Sequence, residues 1–369
     1  MKYGVLYILG AGASIGAKLI PKDRYKLKSQ MPSGPNFFYD CGLFDAPKDP
    51  GRDFFNVIPF MYEGLNQIIE KSWRLDSEIQ TFEKEEWKGV NVEEVFTFLD
   101  TGEKLYHKNS NVYKAFKSAK KSLIDYICIE ISLRSLGQRC EYLKSLFNNI
   151  SEKDSIFCFN WDTITETTLE YLNLPHYENY LNLCADNKFK ISEYSNKCLL
   201  LKLHGSINWM ICTNSECLMH KNNQLILSKK SHMLKDLELG DFDKCESCGR
   251  SFIKNIRNII PPTSNKISIH QDSYMHRIWL LAREKLTFFK RLVFIGYSFP
   301  TTDFYSEWLF RQINFLQYHD GNNTVMDIDV VNPEIFDESS ITYSRYNTIF
   351  KGHRIKKYKN LREYVKKVA

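Results

Sequence analysis

The sequence lacks any uninterrupted run of about 18 apolar residues, so we expect no membrane-spanning helix. It also lacks internal repeats and low-complexity tracts, which argues against a repeat or fibrous protein. Neither sign of charge dominates, because the formal net charge over 369 residues is only +6. A chain with 43% hydrophobic and 25% charged residues is an ordinary globular protein, long enough for one large α/β domain and smaller modules.

The cysteine pattern does not resemble the disulfide framework of a small secreted domain. Of ten cysteines, six are scattered singly, several in apolar contexts that are typical of buried thiols. Lys2 and the apolar residues after it imitate a secretory signal, but Gly10 and Gly12 interrupt that stretch. We therefore expect a cytoplasmic protein.

Two standard nucleotide-binding motifs are missing or incomplete. No G-x-x-x-x-G-K-[ST] loop occurs, and in the segment Gly10–Gly16 the third glycine of G-x-G-x-x-G is replaced by Ile15. No acidic residue follows at the end of a second strand about 20 residues later. The small residues of this segment still allow the backbone to approach a pyrophosphate at a helix N-terminus. A strand-to-helix turn without a ligand explains the segment equally well.

Five apolar segments are present, and each ends directly in small or polar residues. Runs of this length predict buried strands, and five of them predict a parallel sheet built around a nucleotide site. In an open α/β sheet the ligand-handling residues lie just beyond the carboxyl ends of the strands. Asn160, Asp162 and His204 should therefore point into one crevice. The five segments are residues 4–9, 155–159, 199–203, 291–295 and 326–331.

The interval between the first two strands is predicted to be mainly helical. Apolar residues at helical spacing mark Ile58–Leu75, Val92–Leu105 and a longer segment from Tyr113 to Ile131. We interpret residues 17–150 as a helical insertion and residues 207–255 as a second, cysteine-bearing insertion. The Rossmann-like domain is then assembled from residues 1–16, 151–206 and 256–345. Asp162, with Thr163 and Glu166, predicts a helix start with a capping box.

Residues 346–369 form a basic C-terminal tail in this division of the chain. Together with Arg345 they hold nine Lys or Arg residues against the single acidic Glu363. We favour a solvated helix face or a strand–helix end for this segment. Docking on an acidic partner or a nucleic acid is the minor alternative, because base-stacking aromatic motifs are not interleaved with the charges.

Four cysteines have the spacing of a metal site. Cys212 and Cys217 precede the pair Cys245 and Cys248 by 27 intervening residues. Two thiolate pairs are the usual ligand set of a closed, structural zinc site, and free buried thiols are the alternative. Because the first pair has a wider spacing than usual, the sequence leaves open whether Cys212 or His220 completes the site.

Five short motifs occur in the order that is seen in sirtuins, and the cysteine pairs lie where sirtuins carry a zinc module. The resemblance covers the chain from residue 1 to about residue 335, except for the helical insertion. It implies an α/β fold with a sirtuin-like, Rossmann-like parallel sheet, here with a helical and a small zinc-ribbon-like insertion. The motifs are Gly-Ala-Gly-x-Ser at 10–14, Asn-x-Asp at 160–162, His-Gly at 204–205, Gly-x-Ser at 296–298 and Asn-x-Glu at 332–334.

Sirtuins bind NAD and break its nicotinamide–ribose bond, so the resemblance implies a role for each matching residue. Asn160 and His204 would be catalytic, with His204 as the general base, and Asp162 would lie beside the nicotinamide ribose. A histidine with an ordinary pKa near 6.5 can accept a proton at neutral pH. The remaining matches would contact phosphate or ribose: Ala11, Gly12, Ser14, Gly296, Ser298, Asn332 and Glu334.

The sequence departs from sirtuins where they bind the acyl-lysine peptide. Residues 256–263 lack the Phe-Gly-Glu segment that follows the zinc module, and no Pro-Asp-Phe-Arg stretch follows the glycine loop. Met31–Phe38 is the candidate substitute for that stretch. These departures resemble the divergent bacterial sirtuin-like proteins that hydrolyse NAD outright.

This second resemblance implies an NAD+ glycohydrolase that depletes NAD in antiphage defence. It also implies a homo-oligomer, and a HerA-type ATPase or another defence protein as a partner. We expect no membrane association and no direct binding of nucleic acid. An NAD-dependent protein deacylase and a non-catalytic sensor of NAD or ADP-ribose are the alternatives.

Overall fold

A computed structural model of the chain provides the fold, which is α/β. It describes residues 4–17, 31–41, 58–75, 87–135, 138–174, 177–179, 198–212, 214–221, 225–227, 245, 247–250, 256–260, 273–319 and 324–368. Among these residues, no helix is both long and apolar enough to cross a bilayer. All structural statements below concern the described residues.

A parallel sheet of seven strands forms the centre of the molecule. All of its neighbouring strands run parallel, in the order β10-β9-β8-β1-β2-β4-β3. The central strands are buried along almost their whole length, as expected for a parallel sheet covered on both faces. The strands are β1 (Val5–Leu9), β2 (Ser155–Cys158), β3 (Tyr177–Asn179), β4 (Cys198–Lys202), β8 (Arg291–Ile295), β9 (Asp327–Val331) and β10 (Arg354–Tyr358).

The strand order reverses direction at β1, which lies between β2 and β8. From β1 the chain builds outwards to β2, β4 and β3 on one side, and later to β8, β9 and β10 on the other. Such a reversal leaves a crevice beyond the carboxyl ends of the two strands that flank it. The five sequence-predicted strands are all present, and four of them, β1, β2, β4 and β8, end at this crevice.

Twelve helices are described. The longest segments match the sequence periodicity closely, since α4 has the predicted bounds and α3 ends two residues early. In α5 the predicted stripe is buried at Leu123, Ile127 and Ile131. The helices are α1 (Ala11–Ile15), α2 (Phe37–Cys41), α3 (Ile58–Trp73), α4 (Val92–Leu105), α5 (Asn111–Ser135), α6 (Glu141–Phe147), α7 (Ile164–Leu172), α8 (Leu218–Lys221), α9 (Ser273–Leu286), α10 (Phe304–His319), α11 (Ile341–Ile349) and α12 (Leu361–Val368).

Helices α3, α4 and α5 pack against one another and form a helical module. Its buried residues are continuous with those of the sheet, so the two share one hydrophobic core. Helix α6 lies within the range predicted for the insertion, but it packs against α7 and α12 beside the sheet.

A second, three-stranded antiparallel sheet follows the parallel one. It consists of β5 (Gly205–Ile211), β6 (Leu225–Leu227) and β7 (Ile256–Ile259), in the order β6-β5-β7. Because β5 begins one residue after His204, the small sheet is built directly on the edge of the crevice. Helix α5 also contacts β5.

Two local expectations need correction. The capping box before α7 is absent, because Thr163 makes no side-chain cap and Glu166 pairs instead with Lys202. The backbone N–H of Ile164 donates to Asp162 Oδ1 at 3.0 Å, so Asp162 satisfies the helix start. The basic C-terminal segment is a strand–helix end, which confirms one of the two favoured interpretations, but it is part of the sheet domain and not a separate tail, since β10 is the edge strand of the sheet and α12 buries Tyr364.

Candidate functional site

A cavity of about 270 Å³ opens at the carboxyl edge of the sheet, where the strand order reverses. The ends of β1, β2, β4 and β8 supply one wall. Residues of the helical insertion supply the other. The structure places most of the predicted site residues in its lining. These are Ala11, Ser14, Asn160, Asp162, His204, Gly296 and Ser298.

Asn160 is fixed by a network that orients its amide. Its Nδ2 donates to the Gly10 carbonyl and to Ser14 Oγ, both at 2.8 Å. The Ser14 hydroxyl in turn donates to Asp162 Oδ2 at 2.6 Å. Because a carbonyl only accepts, the Gly10 contact assigns the amide nitrogen and leaves Asn160 Oδ1 as the acceptor of the side chain.

A buried ion pair lies beneath Asp162. Lys202 is fully buried, pairs with Glu166 Oε1 at 3.2 Å and donates to the backbone carbonyl of Asp162. Burial opposes the charge of Lys202, but Cys158, Glu166 and Asp162 outweigh it and raise the pKa of the ammonium. Burial raises the pKa of Glu166, an effect that Lys202 opposes. Lys202, fixed by its pairing with Glu166, therefore holds the backbone of Asp162 in place.

His204 lies against a second buried carboxylate, Asp303. Its Nε2 is 3.1 Å from Asp303 Oδ2, and the two side chains are 9% and 0% exposed. The hydroxyl of Tyr297 donates to the same oxygen at 2.7 Å. The Phe159 ring meets the imidazole edge to face and stacks on Tyr297. Both the hydrogen bonds and the rings thus restrict the orientation of His204.

The backbone of His204 is held by the small sheet. Ile260, directly after β7, donates its N–H to the His204 carbonyl at 2.8 Å. Its own carbonyl accepts from the indole N–H of Trp161 at 3.3 Å. Trp161 also lines the cavity. The small sheet is therefore connected to the site through two hydrogen bonds of the Ile260 backbone, one with the His204 carbonyl and one with the Trp161 indole.

The glycines of the two loops serve close packing. Gly296 has φ +61°, and a Cβ there would lie 2.3 Å from the Ala13 nitrogen. A Cβ on Gly12 would lie 2.7 Å from the Gly296 Cα. The Gly12 N–H donates to the Gly296 carbonyl at 2.9 Å, so this N–H is already engaged. Gly12 therefore joins the loops behind the cavity and does not line it.

Asn332 and Glu334 do not line the cavity. They follow β9, one strand beyond β8, and Asn332 Oδ1 caps the short 3-10 helix Pro333–Phe336 by accepting from the Glu334 N–H. The carboxylate of Glu334 accepts from the Thr342 hydroxyl at 2.5 Å. The structure brings these two residues together with each other, but apart from Asn160 and His204.

Residues of the helical insertion complete the cavity with apolar side chains and one carboxylate. Met31, Pro32 and Phe37 line it, so the stretch that was the candidate substitute for the missing sirtuin segment does reach the site. Glu93, at the start of α4, also lines it and is hydrogen-bonded to Thr302. Among the described lining residues there are three carboxylates and neither lysine nor arginine.

The sequence interpretation missed Asp303, Glu93 and Lys202. Asp303 and Glu93 each stand at the start of an apolar-periodic helix, where an acidic residue normally indicates only a cap. Lys202 interrupts the strand segment 199–203, and a lysine inside a buried run indicates a partner that the sequence does not identify. In each case the sequence shows the charged residue, but the residue that it contacts lies far away in the chain.

The four clustered cysteines can bind a metal such as zinc. Their sulfurs all lie within 4.8 Å of one another, with Cys212 and Cys248 3.6 Å apart and Cys217 and Cys245 3.7 Å apart. These separations fit a tetrahedral site, because two ligands about 2.3 Å from zinc lie about 3.8 Å from each other. They are far too long for disulfides.

The alternative ligand His220 is engaged elsewhere. Its Nδ1 lies 2.5 Å from the carbonyl oxygen of Cys212, and the described group of potential metal ligands contains only the four cysteines. Among the described residues, the structure therefore favours Cys212 over His220 as the fourth ligand. The contact of His220 with the Cys212 carbonyl would still orient the loop that carries this ligand.

No protein-family model matches the sequence. No curated protein matches it significantly.

Proposed function

We propose that the protein is an NAD+ glycohydrolase that cleaves the nicotinamide–ribose bond to give nicotinamide and ADP-ribose. The observation that carries this proposal is the meeting of Asn160, Asp162 and His204 in one cavity at the reversal of strand order. The sirtuin resemblance supplies the chemistry, and the geometry agrees with it. NAD is here the substrate.

The charge of the cavity fits a positively charged ligand group. The described lining contains Glu93, Asp162 and Asp303 and neither lysine nor arginine. The nicotinamide ring of NAD+ is a cation, and the ribose becomes positively charged as the ring departs. Carboxylates close to such a centre stabilise it most in a site that excludes water. We place the nicotinamide riboside half of NAD in this cavity on that basis.

In this proposal Asn160 and His204 handle the acceptor. Asn160 Oδ1 accepts a hydrogen bond from water or from a ribose hydroxyl, because its Nδ2 is already used by Gly10 and Ser14. The water oxygen bonds to the anomeric carbon, and the C–N bond breaks with its electron pair remaining on nicotinamide. His204 accepts the proton that the water loses. The proposal thus gives the positioning of the acceptor to Asn160 and the proton transfer to His204.

A nicotinamide-release assay separates this function from its alternatives. Purified protein is incubated with NAD, with and without an acetyl-lysine peptide. We expect peptide-independent release that falls by about 100-fold or more in Asn160→Ala. Release that requires peptide would support a deacylase, and tight NAD binding without release by the assembled protein would support a sensor. Ser247→Ala, on the exposed cysteine loop, is the control variant.

We further propose that the four cysteines hold one structural zinc. Cys212, Cys217 and Cys245 are buried, and a ligand set of four thiolates leaves no open position for a substrate. Elemental analysis of protein purified without chelator should give about one zinc per chain, because one ion saturates four thiolates. A Cys217→Ser/Cys245→Ser protein that retains the full amount of zinc would contradict this assignment.

The cellular role is proposed from the resemblance alone. NAD depletion would act in antiphage defence, in a cytoplasmic homo-oligomer that works with a HerA-type ATPase or another defence protein. Expression of the chain with its neighbouring genes in a phage-challenged bacterium tests this. We expect protection, accompanied by falling NAD, that Asn160→Ala abolishes. Protection that persists in Asn160→Ala would contradict it.

A further inference from the structure

We propose that Asp303 is the positioning residue of His204, which it holds in the tautomer that is protonated at Nε2, so that Nδ1 is the nitrogen that accepts the proton. This inference rests on the proposed function and adds a residue to it. It derives from the geometry around Asp303, which belongs to none of the five motifs that carry the sirtuin resemblance.

The first step is the contact itself. Asp303 Oδ2 lies 3.1 Å from His204 Nε2, and the Asp303 side chain has no exposed surface. A carboxylate without a proton can only accept, so Nε2 must carry the hydrogen. A neutral imidazole carries one hydrogen, and Nδ1 then has the free electron pair. The contact therefore determines which nitrogen is basic.

The second step is the ionisation state of Asp303. The residue directly precedes α10, a helix of 16 residues, and the N–H of Ser306 in its first turn approaches Oδ1 at 3.4 Å. The Tyr297 hydroxyl donates to Oδ2 at 2.7 Å. Burial and the neighbouring Asp303 raise the pKa of Tyr297 well above its usual value, so this donor keeps its proton. Helix start and hydroxyl both favour the anion.

The Asp303 carboxylate also balances the charge that His204 acquires in catalysis. When His204, with only 9% of its side chain exposed, accepts a proton, it becomes a cation, and Asp303 provides the balancing charge within hydrogen-bond distance. Asp162 and Glu93 line the same cavity as His204. Tyr297 is linked to the imidazole through Asp303, to which its hydroxyl donates. Asp303 contacts the imidazole directly, with Oδ2 3.1 Å from Nε2.

Asp303→Asn tests the proposal, because the helix start predetermines how the new amide is oriented. The Ser306 N–H keeps the amide oxygen on its own side, and the Tyr297 hydroxyl can donate to Ser306 Oγ instead, so the NH₂ group faces His204 Nε2. The ring must then carry its hydrogen on Nδ1, which can no longer accept a proton. We expect kcat for nicotinamide release to fall by about 10²- to 10⁴-fold, with KM within about 3-fold of wild type.

Nuclear magnetic resonance provides a readout that is independent of activity. Protein labelled with ¹⁵N-histidine distinguishes the two tautomers through the ring nitrogens, and His204→Gln identifies the His204 signals among those of nine histidines. We expect the Nε2–H form in the wild type and the Nδ1–H form in Asp303→Asn. A wild-type His204 in the Nδ1–H form would overturn the proposal, even if Asp303→Asn does not fold.

The pH profile gives a second, graded readout. Removing the carboxylate destabilises the imidazolium, so the acidic limb of kcat/KM should move to lower pH in Asp303→Asn. Tyr297→Phe should move it in the opposite direction by a smaller amount, because loss of this donor leaves more negative charge on the oxygen that faces Nε2. An unchanged limb together with an unchanged tautomer in Asp303→Asn would overturn the proposal.

Asp329→Asn is the matched control. Asp329 is also a buried carboxylate that accepts from a tyrosine hydroxyl, that of Tyr364, at 3.2 Å, but it lies in the middle of β9 and outside the cavity. It should lose stability without a change in the His204 tautomer. If the wild type shows the Nε2–H form but releases no nicotinamide when fully assembled, the proposed function fails and the positioning of His204 stands.

Discussion

The cavity and the cysteine cluster assemble polar atoms by different means. In the cavity, Asn160, His204 and Asp303 come from separate parts of the chain, and the parallel sheet holds them together through hydrogen bonds and buried ion pairs. In the cluster, two segments of the cysteine module bring four sulfurs within 4.8 Å of one another, an arrangement that a metal ion would stabilise. The cavity should therefore form without any ion, whereas the cluster should depend on one.

The two regions are nevertheless connected at His204. Strand β5 begins at Gly205 and leads to Cys212, and Ile260 after β7 donates to the His204 carbonyl. Disruption of the cysteine module should therefore reach the cavity through the main chain.

Metal removal is the change with the largest expected effect. Structural zinc contributes roughly 10 kcal/mol or more in zinc-finger peptides, so chelation or Cys245→Ser should unfold the small sheet. The parallel sheet should remain, with reduced nicotinamide release because His204 loses its support. Zinc content and circular dichroism measure both effects. Cys140→Ala, at a buried cysteine outside the cluster, should leave the zinc content unchanged.

Lys202→Met should break the cavity and spare the cluster. It leaves Glu166 buried without its cation, which costs about 3–5 kcal/mol, measured as the free energy of unfolding in urea. Adding Glu166→Gln should recover much of the loss. At the control position Lys104, half exposed and paired with Asp100, the same change should cost less than about 1 kcal/mol. Equal losses at the two lysines would contradict the buried pair.

Gly296→Ala compares close packing with backbone strain. Gly296 and Gly352 both have positive φ, but only at Gly296 would a Cβ contact other backbone atoms, those of Gly12 and Ala13. We expect a cost of about 2–5 kcal/mol for Gly296→Ala and about 1–2 kcal/mol for Gly352→Ala. Thermal unfolding measures the difference, which would vanish if the two loops did not touch.

Asp100→Asn has the smallest expected effect and tests the helical module over the cavity. Burial raises the pKa of Asp100, but hydrogen bonds from Lys104 and Lys120 outweigh it and lower the pKa overall. The carboxylate therefore stabilises the fold above pH of about 4, and this contribution is lost as the pH falls through the lowered pKa. The variant should lose about 1 kcal/mol at pH 7 and nothing at pH 2. A loss that persists at pH 2 would show that charge is not its cause.

The central fold could be predicted from sequence because its signals are local. The buried strands around β1 are continuous apolar runs, and α4 and α5 have strong helical periodicity. The strand β10 was not assigned, because Arg354, Lys356 and Lys357 at the edge of the sheet conceal its alternating pattern. Strands β5 to β7 were not assigned for a related reason, since they are short and their pairing depends on chain reversals within the cysteine module.

The candidate site was predictable in composition but not in its connections. The positions of Asn160, Asp162 and His204 follow from strand ends, which a sequence shows. That Asp303 contacts His204 follows from the approach of the segment after β8 to the end of β4, about a hundred residues apart in the chain. The hydrogen bond from the Gly12 N–H to the Gly296 carbonyl likewise joins two segments that are far apart in the chain.

A structure with a non-hydrolysable carbocyclic analogue of NAD tests the central claim most directly. The nicotinamide ring should occupy the cavity among Glu93, Asp162 and Asp303. The anomeric carbon should face Asn160 and His204, with an acceptor water about 3–3.5 Å from it. An analogue bound with its nicotinamide ring outside this cavity, or with Asn160 and His204 both turned away from the anomeric carbon, would contradict the account.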